Sequence, residues 1–125
     1  GDYIETVIST DESLADSILN VSTLATTKTI TKTKTSYYKN AAGSVMWSVS
    51  IKGTFTYNGS TSKCTSCSHS TTAPGKSWSI KSCTSSKSGN KATAKAVATH
   101  KSSSGATANY TKSVTITCSA KGVVS

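Results

Sequence analysis

From Ser44 to Tyr57 the chain alternates. Val45, Trp47, Val49, Ile51, Phe55 and Tyr57 hold the odd positions, with Gly53 as the gap in the row, and Ser48, Ser50, Lys52, Thr54 and Thr56 hold the even ones. A period of two places the bulky set on one side of a β-strand. Asn58-Gly59 follows at once, a type I′ hairpin signal. A two-residue turn there pairs Tyr57 with Ser60, Phe55 with Ser62 and Gly53 with Cys64. The return strand, about 60 to 70, then carries Cys64 on the apolar side and Cys67 on the other.

The same period recurs downstream. Ala73-Pro74-Gly75 reads as a turn, with proline presetting φ and glycine supplying a positive φ. Over 76–85, Trp78 and Ile80 share one side, with Lys81 and Cys83 on the other. Ser88-Gly89-Asn90 is the next turn. Over 91–100, Ala92, Ala94, Ala96 and Ala98 line one side against Lys91, Thr93, Lys95, Val97 and Thr99. Alanine is a poor strand former, so pattern outvotes propensity here. Tyr110, Val114, Ile116 and Cys118 are in phase in a last strand over 107–120.

Upstream, Thr27, Thr29, Thr31, Thr33 and Thr35 alternate with Lys28, Ile30, Lys32 and Lys34. The lysine side of this strand is expected to be wet, and lysine on a strand suits a sheet edge. Asn40 to Gly43 turns it into the Trp47 strand. Ahead of it, Asp11-Glu12 after Thr10 and the spacing of Leu14, Ile18 and Leu19 predict a short helix over Thr10–Leu19. The expected architecture is all-β: a two-layer antiparallel β-sandwich, immunoglobulin-like or similar, over residues 26–125. An acidic segment, a short helix or an extended head, occupies residues 1–25.

Composition adds constraints. The chain has 125 residues, enough for one modest core, and only 34% of them are hydrophobic. Four cysteines in so core-poor a chain predict two disulfides and an oxidising compartment. Strand parity pairs Cys64 with Cys118 on the inward side and Cys67 with Cys83 on the outward side. No apolar run approaches the ~20 residues of a membrane helix. No signal peptide is present, and the mature-looking start at Gly1 suggests a processed chain, expected to be an exported protein whose leader has been removed.

All five carboxylates, Asp2, Glu5, Asp11, Glu12 and Asp16, lie in the first sixteen positions; all fourteen lysines follow, arginine is absent, and the net charge is +9. The body therefore has no carboxylate pair for glycoside hydrolysis. It has no G-x-S-x-G elbow, and its only imidazoles are His69 and His100. A zinc site from Cys64, Cys67, His69 and His100, with Cys83 in reserve, would have a suitable first pair but no matching spacing in the second. A redox-active Cys64-x-x-Cys67 would need the helix N-terminus such motifs use, and this one lies in a strand. The sequence implies no cofactor and no catalytic residue.

Lysine offers point charges suited to diffuse polyanions, whereas sequence-specific nucleic-acid reading favours the arginine fork. The expected basic face comprises Lys28, Lys32, Lys34, Lys91 and Lys95, its partner an anionic envelope polymer, glycan or lipid headgroup. Against this stands a plainer role for the charge, solubility of a Ser/Thr-rich surface. Tyr37-Tyr38 must divide between the two sides of its strand, and an outward tyrosine beside Lys39 would extend such a face.

The stretches TKTITKTKTSYYKN, GSVMWSVSIKGTFTYNGSTSKCTSCS, PGKSWSIKS and YTKSVTITCSAKG resemble a group of small secreted β-sandwich proteins of Gram-positive bacteria, over about residues 26–122. The resemblance implies export and an all-β domain, and brings no catalytic residue with it. The expected function is that of a secreted, non-enzymatic binding or adhesion module at the cell surface. The alternatives are a toxin-like or bacteriocin-like protein acting on anionic membranes, and a metal or redox protein built on the Cys/His set.

Overall fold

The computed structural model describes residues 3–11 and 27–125. It is all-β, with no helix among those residues. The strands are β1 (Tyr3–Asp11), β2 (Lys28–Lys39), β3 (Val45–Tyr57), β4 (Ser62–Thr72), β5 (Trp78–Ser88), β6 (Lys91–Lys101) and β7 (Thr107–Thr117). They form two antiparallel sheets, ordered β1-β2-β3-β4 and β5-β6-β7.

One core draws on both sheets. Trp47, Val49, Ile51 and Phe55 of β3 and Cys64 of β4 supply one part; the alanine row of β6 with Val114, Ile116 and Cys118 supplies the other. All are at most 3% exposed. The alternation read from the sequence therefore describes β3 and β6 correctly. Four alanines in a row are useful because their short side chains leave room for the bulky row of β3. The opposite side of the four-stranded sheet is a hydroxyl surface, with bonds between Thr31 and Thr54 (3.0 Å), Thr35 and Ser50 (2.7 Å) and Ser48 and Thr72 (2.6 Å).

Several expectations are corrected. The helix foreseen from Thr10 begins where β1 is still extended, at Thr10 and Asp11; its remainder lies outside the described residues. β2 is an interior strand, because β1 pairs along it from Tyr3↔Lys39 to Asp11↔Thr31. Local periodicity carries no information on which distant segment will claim an edge.

The β3–β4 hairpin has a longer loop than a two-residue turn. Tyr57 pairs with Ser62, and among the described residues none other than glycine has a positive φ, which excludes type I′ at Asn58. Instead Asn58 Oδ1 accepts from the backbone N–H groups of Ser60 (2.9 Å) and Thr61 (2.8 Å), an Asx-type closure. Gly75 likewise does not take a positive φ.

Two bulges change the side on which cysteines lie. In β4, Thr54 pairs with Ser66 and Phe55 with Cys64, so Thr65 is an extra residue. In β5, Ile80 pairs with Ala98 and Ser82 with Val97, so Lys81 is extra. One extra residue reverses the parity of everything beyond it. Cys67 thus pairs with Gly53 and Cys83 with Ala96, and both pack against the core instead of facing outward.

Candidate aromatic and lysine site

One end of the core opens as an aromatic cluster. Antiparallel register brings together the end of β2, the start of β3, the start of β5 and the end of β6: Tyr38 pairs with Trp47, Trp78 with His100, and Ala98 with Tyr110 of β7. Trp78 is the hub. Its ring lies 4.6 Å from His100, 5.1 Å from Tyr38, 5.3 Å from Tyr110 and 6.4 Å from Trp47, centroid to centroid. These separations suit offset and tilted aromatic packing. Trp47 is buried, Trp78, Tyr38 and His100 are half-buried, and Tyr110 is exposed, so the cluster runs from the core to the surface.

The chain before Trp78 is held close. Gly75 N–H donates to Met46 O (3.1 Å) and Trp78 N–H to Gly75 O (3.0 Å). A Cβ on Gly75 would stand 2.8 Å from Trp78 Cδ1 and 3.1 Å from Met46 O, so only glycine fits. Lys101 N–H donates to Ser77 O at 2.9 Å and fixes the other wall. Between these walls lies a shallow, open depression of about 570 Å³, lined by Lys76, Ser77, Trp78, Ser79, His100, Lys101, Ser102 and Ser103. It presents an aromatic floor, hydroxyls and two ammonium groups. Such a surface stacks on a flat or sugar-like group and attracts negative charge.

The five lysines expected to form one face are divided. Lys32 and Lys34 pair with Gly53 and Ile51, on the core side of β2 along with Lys28. Both are half-buried, and Lys34 Nζ donates to Thr115 O of β7 at 3.0 Å. Their stems cover the core margin, and the Lys34 head reaches a backbone carbonyl. Lys91 and Lys95 are exposed on the other side of β6 from its alanines. Sequence reading put Trp78 in phase with Ile80 and Tyr110 in phase with Val114, and named His100 only as a zinc candidate without matching spacing. What it missed was that Lys76, Trp78, His100 and Lys101 stand at paired strand ends. Tyr37 does point away from Tyr38, with Lys39 Nζ 5.8 Å from its ring centroid. Lys39 also pairs with Glu5 of β1 (2.5 Å), and that hydrogen bond raises its pKa.

All four cysteines carry thiols in the structure, with neither bridge formed. Cys64 and Cys118 are buried in the core, their Sγ atoms directed at Ser66 O and Ser119 O (both 3.3 Å). The level of β4 against β5 is set by Cys64 N–H to Gly89 O (2.7 Å) and His69 Nδ1 to Ser85 Oγ (2.7 Å). Cys67 and Cys83 are both half-buried beside the same core. Among the described residues no three His, Cys, Asp or Glu side chains converge as metal ligands; His69 sits beside Ser85, and His100 against Trp78.

Burial raises the pKa of Cys64, Cys83 and Cys118, and Cys118 is raised further by the charge Cys64 would carry. These thiols are held protonated, the reverse of what a redox-active pair needs. A thiol raised in the folded state keeps its proton after the unfolded chain has lost its own. The stabilisation this gives is complete below the ordinary value of 9.0 and is lost as pH rises through the folded values. Urea midpoints of the reduced protein should therefore fall above pH 9 more steeply than those of a Cys64→Ala/Cys118→Ala variant. Parallel curves would show that these thiols do not titrate differently on folding.

Comparison of the chain with protein-family models, curated proteins and solved structures finds no match.

Proposed function

We propose that this protein is an exported, non-enzymatic binding module of the cell surface that holds anionic polymers, in a bacterial envelope setting. The site is the aromatic depression between Lys76 and Lys101. The observation that carries this reading is the half-buried Trp78–His100 stack with an ammonium group on either flank and serine hydroxyls between. Trp47 adds support: its buried Nε1 lacks a hydrogen-bond partner among the described residues, and an unsatisfied donor costs ~1–3 kcal/mol. Phenylalanine would avoid that cost. Lysines beyond the depression, Lys91 and Lys95 among them, widen the attractive field without fixing a ligand.

The scaffold in this reading is a two-layer sandwich of the two sheets, supported by their common core. A Cys64–Cys118 disulfide would tie β4 to the chain just beyond β7 in an oxidising compartment. Both residues are buried in the core, and their N–H groups donate to the adjacent carbonyls of Gly89 (2.7 Å) and Asn90 (3.0 Å).

The test is a binding screen with polyglycerol phosphate, a sulfated glycan, anionic vesicles and matched neutral polymers, each at low and high salt. Binding to the anionic polymers should weaken at least about ten-fold as screening lengths shrink from ~10 to ~3 Å. Lys76→Ala/Lys101→Ala should weaken it by a similar factor, and Trp78→Ala by more than Lys91→Ala/Lys95→Ala. Equal loss from both lysine pairs would show that diffuse charge, and not this depression, is responsible. Leakage of anionic vesicles would favour membrane action instead.

A further inference from the structure

β1 is an edge strand of unusual character for this chain. Among the described strands it is the only one without a lysine, and its register with β2 runs unbroken over nine residues. The other edges are guarded. β4 and β5 lie against each other and each carries a bulge; β7 carries Lys112 on its core side, opposite Ala96. Lysines and bulges are the usual devices that stop strand edges from pairing with other chains. β1 has neither device.

β1 is also where apolar surface is exposed. Tyr3 (46%), Ile4 (48%), Val7 (43%) and Ile8 (39%) are four of the six exposed large hydrophobic side chains among the described residues. Ile4 and Ile8 pair with Tyr38 and Lys34 and so lie on the core side. Yet β2 is the only strand paired with β1, and from the three-stranded sheet only Lys112 of β7 comes beside it, at Ile4. Nothing among the described residues pairs with its outer edge.

We propose that β1 is a self-association edge, at which two copies of the chain pair β1 to β1, antiparallel, about a two-fold axis at Thr6. The two four-stranded sheets then join as one of eight strands. This register sets Ile4 of each copy opposite Ile8 of the partner subunit, and Glu5 opposite Val7. Pairs of β-branched residues across strands are favourable, and a two-fold contact closes on itself.

Charge favours this edge over the others for a contact between copies. On a chain of net charge +9, contacts through the lysine-bearing strands set lysine against lysine. β1 brings no lysine of its own, and its Glu5 already holds Lys39 of the neighbouring strand. The contact leaves both aromatic depressions on the dimer, so two weak sites on one polymer would bind with avidity.

Sedimentation velocity on the full chain, from about 10 μM to about 1 mM, tests this at two salt concentrations. The expected result is a monomer–dimer equilibrium strengthened by salt, because screening relieves like-charge repulsion. Salt should act on polyanion binding in the opposite sense, so failure of one proposal is distinguishable from failure of the other. Val7→Lys should weaken the dimer roughly ten-fold or more. Hydrogen exchange on the unaltered protein should show amide protection that rises with concentration in β1 alone. A monomer at every concentration, assembly beyond a dimer, association indifferent to Val7→Lys, or protection appearing elsewhere would each overturn the proposal.

Discussion

Oxidised protein is expected to be about 4 kcal/mol more stable than reduced protein, through the Cys64–Cys118 bridge. The bridge closes a loop of roughly 55 residues, and the chain-entropy relation gives this figure for such a loop. For a chain of this size that is on the order of 12–20 °C in Tm. The reason lies in the unfolded state, which loses conformations when β4 is tied to the end of β7. Urea unfolding with and without dithiothreitol measures it, and a Cys67→Ala/Cys83→Ala variant should keep the full difference. Coincident transitions, or a difference abolished by that variant, would refute the pairing. The effect is large because so few apolar residues support the core, and a domain's net stability is only ~5–15 kcal/mol.

Phe55→Ala should cost about 3–5 kcal/mol, the range for removing a buried aromatic ring. Phe55 is wholly buried, and its ring lies over Gly53, where an added Cβ would be 2.8 Å from two of its atoms and 3.3 Å from Ile116 Cγ2. The ring therefore fills the space that glycine leaves in β3 and reaches the residues of β7. No neighbour can replace it, since the β6 row opposite is alanine and the backbone of Gly53 has no side chain to relax. Chemical denaturation checks the loss against Ser68→Ala, an exposed position in β4, which should change stability by no more than roughly 0.5 kcal/mol. A loss below about 1.5 kcal/mol for Phe55→Ala would mean that the site collapses, and that packing here is looser than the structure shows.

Both effects were partly visible in the residue pattern. Phe55 stands in phase with Trp47, Val49 and Ile51, and Cys64 and Cys118 fall on inward sides by simple parity. Cys67 and Cys83 did not follow that parity. Thr65 and Lys81 are ordinary strand residues with no local mark of a bulge, and each reverses the side of the cysteine beyond it. The candidate site was hidden for a different reason. Lys76, Trp78, His100 and Lys101 belong to two segments more than twenty residues apart, and only the pairing of Trp78 with His100 puts them at one strand end.

The sequence by itself determined the six strands after residue 26, the bulky row of β3, the alanine row of β6 and the concentration of positive charge after residue 16. These follow from a period of two and from composition, which are local quantities. Only the tertiary structure decided that Tyr3–Asp11 would take the edge beside β2, that bulges would turn two more thiols inward, and that Trp78 would gather three other aromatic rings and His100 around it. Each of those outcomes depends on hydrogen-bond register between distant strands, set by how the chain as a whole buries its few apolar groups.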